Sequence, residues 1–366
     1  MDDPSDCMTS ATVPGVTTRR IGYDLLRIIS ICGVVAIHTF GPIAANPDLH
    51  GSVSWLAALV LSNGFIWAVP VFVMLAGALS LHENSHAEGP TSFLLRRAKR
   101  IVPALVAWTF IYLVIVRAFI LREGISPADA LIEIFDARVY PHLYFLWLIA
   151  GLYLVAPVLA AFLHADGRRR AVVTGAIALG TTLLVFMAPA VLALKDISRP
   201  IQLGALTIWL AYVGYFVVGY ALSLFRVVSR SWLLIAGAGI LVFGAITLAE
   251  TAWPERLAVL RAVALPEYLG IIVAALSICV FVIGVTLLDR VRAGERLTRF
   301  VVSISEASFG VYLVHLMLML IPYNVLAGYH ARTSLPESIV AYVFVIVVSF
   351  AISVGARRVP GLRAIF

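Results

Sequence analysis

Arg27 and His38 lie eleven residues apart inside one hydrophobic run, IGYDLLRIISICGVVAIHTFG. Eleven residues carry an α-helix through three turns plus about 20°, so both side chains share a face, roughly 16 Å apart along the axis. Ionisable groups at membrane depth are costly and rare, and each needs a reason. A cation toward one surface aligned with an imidazole toward the other describes a reaction path through a bilayer. Imidazole suits a general base or a nucleophile because it titrates near neutrality and burial favours its proton-accepting form. Asp24 is too far away to orient it, fourteen residues along the helix or roughly 21 Å. An orienting group has to come from another helix, or there is none. Asp24 can instead pair with Arg27 three residues later. Two plainer readings stand beside these: an arginine that snorkels to the headgroups, and a histidine that only packs.

A second basic site lies in FLLRRAKRIVPALVAW. Arg97 and Arg100 are spaced i, i+3 and face the same way, and Pro103 fits an early helical turn. Such a pair can hold phosphate oxygens through charge-assisted, forked bonds. It can equally serve membrane topology and anionic lipid.

Composition says what must position these groups. The chain has 366 residues, 61% hydrophobic and 13% charged, with mean hydropathy +0.99. Soluble domains carry about 25% charged residues, so this is an all-α, polytopic integral membrane protein. Ten spans of about 20 residues are expected, at about 21–41, 55–81, 101–121, 143–164, 171–192, 203–225, 231–250, 268–288, 305–325 and 337–356. They form one membrane domain, 21–366, behind a polar tail, 1–20. The tail has no cleavable signal peptide, so the first span reads as a retained anchor. Pro70 predicts a kink in the second span. The segment 122–142 has room for a short interfacial helix.

Charge fixes the expected orientation. Alternate loops hold 18 of the Lys and Arg residues and the other set holds 8, with Arg27 in the first span. That asymmetry places both termini in the cytoplasm and absorbs the net charge of +7, which excludes a nucleic-acid role. Cys7, Cys32 and Cys279 are odd in number and far apart, giving no disulfide framework, and no ligand spacing calls for a metal.

Taken in order, Arg27-x10-His38, VPVFVMLAGALSL, Arg97-x-x-Arg100-Ile-x-Pro103, HLYFLWLIAGLYLVAP, YVGYFVVGYAL and SFGVYLVHLMLM resemble the acyltransferase-3 family of bacterial membrane acyltransferases. The resemblance covers nearly the whole chain. It is strongest to the stand-alone branch that O-acetylates surface polysaccharides or their lipid-linked precursors, such as enterobacterial common antigen. It implies a protein of the bacterial inner membrane that takes an acetyl group from cytoplasmic acetyl-CoA, with no permanently bound cofactor, and passes it to a glycan or lipid-linked sugar hydroxyl on the far side. It implies that His38 is the catalytic histidine, that Arg27 helps hold the donor, and that Arg97 and Arg100 bind its phosphates. Ala76-Gly77-Ala78 departs from the family pattern, where many members have Ser-Gly and a bulky residue.

The residues agree with that chemistry. A CoA head held by cytoplasmic arginines would send its pantetheine arm up the length that separates Arg27 from His38. Further candidates are weaker. His315 lies mid-span in SFGVYLVHLMLM, facing a cavity or another helix. Tyr153 and Trp147 could line an acyl tunnel. Glu267 and Tyr268 stand level with His38 near the outer surface and could touch the acceptor or orient the histidine. Glu306 begins the ninth span as an N-terminal cap and points 180° away from His315. No role falls to His50, His82, His86, His142, His164 or His330. The alternative is a transporter or channel, which would call for intramembrane acids, broken helices and repeats.

Overall fold

The structure is a computed structural model that describes residues 20–225, 229–291 and 294–366. The tail before Arg20, with Cys7 and Arg19, and the loop residues Arg226 and Arg292 lie outside the described residues. Helix is the only regular structure among the described residues, as backbone satisfaction in lipid requires.

In chain order, the helices are α1 (Ile21–Ala44), α2 (Val53–Asn63), α3 (Ala68–Ser80), α4 (Pro90–Phe110), α5 (Pro127–Phe135), α6 (Tyr144–His164) and α7 (Gly167–Ala193). They continue as α8 (Val213–Ser223), α9 (Arg230–Ala252), α10 (Ala258–Ala264), α11 (Ile271–Leu287), α12 (Glu295–Val325), α13 (Ala327–His330) and α14 (Leu335–Ala356). Nine segments among the described residues are long and apolar enough to cross a membrane. The tenth expected span is shorter, Ile208–Ser223. It runs between α3 and α7 and is buried along most of α8. A helix sheathed by protein has no need to match the lipid thickness.

The second span is broken rather than kinked. α2 ends at Asn63 and α3 begins at Ala68, so Pro70 sits in the first turn of a new helix. There its missing N–H costs nothing. The Trp67 indole N–H closes the break on the Gly64 carbonyl at 2.7 Å. Pro103 also lies elsewhere than expected: α4 starts at Pro90, so Pro103 is an interior residue. The polar segment TSFLLRRAKR extends this helix below its apolar part, which hydropathy alone does not register. α4 then widens into a π-helix over Ile111–Ile120, a rare form that re-aims side chains. The short helix expected within 122–142 is α5, capped by Ser126.

α1 is the hub and packs against α2, α3, α11, α12 and α14. The closest seam joins α3 and α8. A Cβ at Gly77 would stand 1.8 Å from the Phe216 carbonyl oxygen, and one at Gly219 would stand 2.0 Å from that of Met74. Small residues allow this approach, the usual way helices grip one another where lipid supplies no hydrophobic drive.

Candidate active site

Because α1 is central, its Arg27–His38 face turns inward. A single cavity of about 360 Å³ touches both residues, and also Arg97, Arg100, Tyr153 and Tyr268. Its remaining wall is mostly apolar and aromatic, including Phe72, Phe145, Ile149 and Tyr312. The cavity therefore joins a cluster of guanidinium groups at one end to an imidazole at the other.

The basic end is built from three helices. Arg27 Nη1 donates to Ser305 Oγ at 3.1 Å and lies 3.7 Å from Asp24 Oδ1. Ser305 donates in turn to the same Asp24 oxygen at 2.6 Å. Asp24 is almost fully buried, so the hydroxyl and the guanidinium together hold its charge. On α4, Arg97 is fixed from two sides. Its Nη2 donates to Ser80 Oγ at 3.1 Å, and its plane lies 4.6 Å from the centre of Tyr153 and 5.3 Å from that of Phe93. Arg100 lies over Phe309 at 5.4 Å. The helical rise separates the two α4 arginines by about one turn, and both forks reach one cavity.

Glu306 lines the same end but is not a cap. α12 begins at Glu295, eleven residues earlier, and Glu306 is ion-paired with Arg357 from the end of α14. The ninth span was expected to start near 305 because the first turns of α12 are polar. His86, in the loop below α3, donates its Nε2–H to the Ser80 carbonyl at 2.8 Å. Burial holds its imidazole below its usual pKa, so the charge at this mouth is carried by arginine.

At the other end His38 stands beside His315 of α12, ring centres 5.4 Å apart. His315 has no exposed surface and lies behind His38. His142, in the turn before α6, packs on His315 at 5.1 Å and itself lines the cavity. The three imidazoles form a row with His315 in the middle, and its two ends, His38 and His142, are both on the cavity wall. His142 was expected to have no role; a lone histidine in a loop carries no periodic signal, and only the tertiary packing brings it here.

Two tyrosines hold the row. The Tyr312 hydroxyl donates to the His142 carbonyl. Tyr112, presented by the π-helical stretch, packs against His142 at 4.9 Å. Its hydroxyl donates to the Leu313 carbonyl at 2.8 Å and accepts from the Met317 N–H at 3.2 Å. An unbroken α-helix would join those two groups directly, so the hydroxyl is inserted into the α12 ladder around His315. The 137–143 segment is fastened by Arg117, which binds Glu123 and Glu133 and also reaches the Val139 carbonyl at 3.3 Å.

The structure thus gathers Arg27, His38, Arg97, Arg100, Tyr153 and Tyr268 on one cavity, with His315 one layer behind. Glu267 and Trp147 are not on its wall; Glu267 is exposed. Ser80, Ser305, Glu306 and Tyr112 take part without having been singled out as site residues. Ser305 and Glu306 lie just ahead of the SFGVY motif, separated from it by Ala307, the nearest thing to a sequence signal for them.

The sequence model of the acyltransferase-3 family, an acyltransferase domain, matches residues 20–358. No curated protein matches this chain, and no solved structure does. A match over nearly every described residue, converging with a membrane cavity that runs from clustered arginines to a half-buried histidine, places the chain in the acyltransferase-3 family of membrane acyltransferases.

Proposed function

We propose that this protein is a membrane O-acyltransferase that takes an acetyl group from acetyl-CoA at its basic, cytoplasmic end. It delivers the group to a hydroxyl of a surface polysaccharide or lipid-linked sugar at the opposite face of the bacterial inner membrane. The observation that carries this reading is the single cavity in contact with Arg27, Arg97, Arg100 and His38.

Each part follows from what the groups can do. The forks of Arg97 and Arg100 match phosphate oxygens, and Arg27, steadied by Asp24 and Ser305, meets the donor deeper in. The apolar, aromatic wall suits a thin uncharged arm and excludes the water that would hydrolyse a thioester. At His38 the acceptor hydroxyl gives its proton to the imidazole and its oxygen attacks the thioester carbonyl. The C–S bond breaks, and His38 returns the proton to the departing thiolate, so ester and free thiol leave with no net proton change. An acyl-histidine formed first and then passed on balances equally. Tyr153 and Tyr268 line the donor and acceptor halves.

Replacing His38 with alanine tests this. Surface glycans from cells expressing His38→Ala should lose the acetyl mass seen with the native protein, while the variant still inserts in the membrane and binds acetyl-CoA. Native levels of acetylation in that variant would overturn the assignment.

A further inference from the structure

A base that must present one nitrogen to its substrate needs its other nitrogen held, because neutral imidazole exists as two tautomers and only one leaves a lone pair facing the reaction. The familiar holder is a carboxylate. Here the neighbour of His38 is a second imidazole.

The protonation of that neighbour can be read from its partners. His315 Nδ1 lies 2.8 Å from the Tyr312 carbonyl oxygen and 3.2 Å from that of Val311. Carbonyl oxygens only accept, so Nδ1 carries the hydrogen. In a neutral ring Nε2 is then a bare lone pair. Among the described residues it has no hydrogen-bond partner, although it is fully enclosed. An enclosed, unpartnered acceptor is costly, and its neighbouring rings are His38 and His142, at 5.4 and 5.1 Å. At such a separation an N–H···N bond of about 3 Å joins two imidazoles with little adjustment.

We propose that His315 is the positioning residue of His38. Its Nε2 accepts the hydrogen of the His38 nitrogen that faces away from the cavity, which leaves the lone pair of the other nitrogen turned inward. The Tyr112 hydroxyl on the α12 ladder and the carbonyls of Val311 and Tyr312 fix the His315 ring, and His142, itself on the cavity wall, packs against it. The choice of a neutral acceptor has a chemical reason. A carboxylate at this depth would be a permanent buried charge, and it would hold the proton on His38 too firmly for a base that must surrender it to a thiolate in each cycle. An imidazole fixes the tautomer without storing the proton.

The inference rests on His38 being the reacting group, but its test does not depend on acyl transfer. Histidine-selective ¹⁵N NMR of the full chain in lipid bilayers distinguishes the two tautomers, with the His38 signal assigned by its loss in His38→Asn. The native protein should show His38 as one tautomer. His315→Phe should show a mixture, and His315→Gln, whose amide oxygen can accept in place of Nε2, should restore a single form. Should the Phe variant fail to fold, His315→Met removes the acceptor at similar volume. Acetylation of surface glycans should fall about 10²-fold in the Phe or Met variant and recover largely in the Gln variant, with acetyl-CoA affinity unchanged throughout. A single His38 tautomer that persists without an acceptor at 315 would overturn the proposal, as would equal losses in Gln and Phe. If the tautomer follows residue 315 while His38→Ala still acetylates, the contact stands and the acyl-transfer reading falls.

Discussion

Exchanging Arg97 for lysine separates a phosphate-gripping arginine from one that merely marks the cytoplasmic side. Lysine keeps the charge, so topology and insertion are preserved. What it loses is the planar fork. In the structure that fork is held by Ser80 Oγ at 3.1 Å and by the Tyr153 ring at 4.6 Å. A neutral-partner hydrogen bond contributes about 0.5–1.5 kcal/mol, and a cation–π contact in a partly wetted site about 0.5–1 kcal/mol. Losing both releases the cation from the position where it meets the donor, a penalty of about 1–2.5 kcal/mol. At tenfold per 1.4 kcal/mol, the dissociation constant for acetyl-CoA should rise about 5- to 60-fold. Isothermal titration of the purified protein in nanodiscs measures it. Wild-type affinity in Arg97→Lys, with Arg97→Glu equally unaffected, would refute the idea that this guanidinium holds the nucleotide.

The other expectations are simpler. In Ser305→Ala the hydroxyl between Arg27 and Asp24 disappears, Arg27 closes on the carboxylate and withdraws from the cavity, and the same titration should show affinity about fivefold weaker, roughly 1 kcal/mol. Tyr112→Phe removes a buried hydroxyl that serves Leu313 and Met317; it should lower stability by about 1–3 kcal/mol, seen as an earlier unfolding midpoint, and reduce acetylation through its loosened hold on His315. Gly219→Leu forces a side chain into the Met74 backbone, and the protein should be lost from the monodisperse fraction in size-exclusion chromatography. Gly244, which has open space around it, should tolerate the same substitution.

Hydropathy made the bundle legible, since a run of about 20 apolar residues has few other uses. It failed where length and polarity part company. α4 and α12 both begin in polar turns below their apolar stretches, so Pro103 and Glu306 looked terminal when they are interior. α8 is short because protein covers it. The break between α2 and α3 depends on a Trp67 side chain closing on Gly64 and not on Pro70. The Arg27–His38 alignment was readable because helical periodicity is local. The partner of His38 was not, because nothing in a linear sequence says that a histidine 277 positions later on α12 will pack beside it, or that a loop histidine will join them at the cavity.

The glycine seam between α3 and α8 bears on how substrates reach the centre. Two helices whose main chains touch are effectively welded, and α3 supplies one flank of the chamber through Phe72, Leu75, Ala76 and Ser80. That flank cannot swing outward without tearing Gly77 from Phe216 and Gly219 from Met74. A substrate of the proposed reaction therefore does not slip sideways from the lipid between these two helices, and its entry falls to another part of the chamber wall.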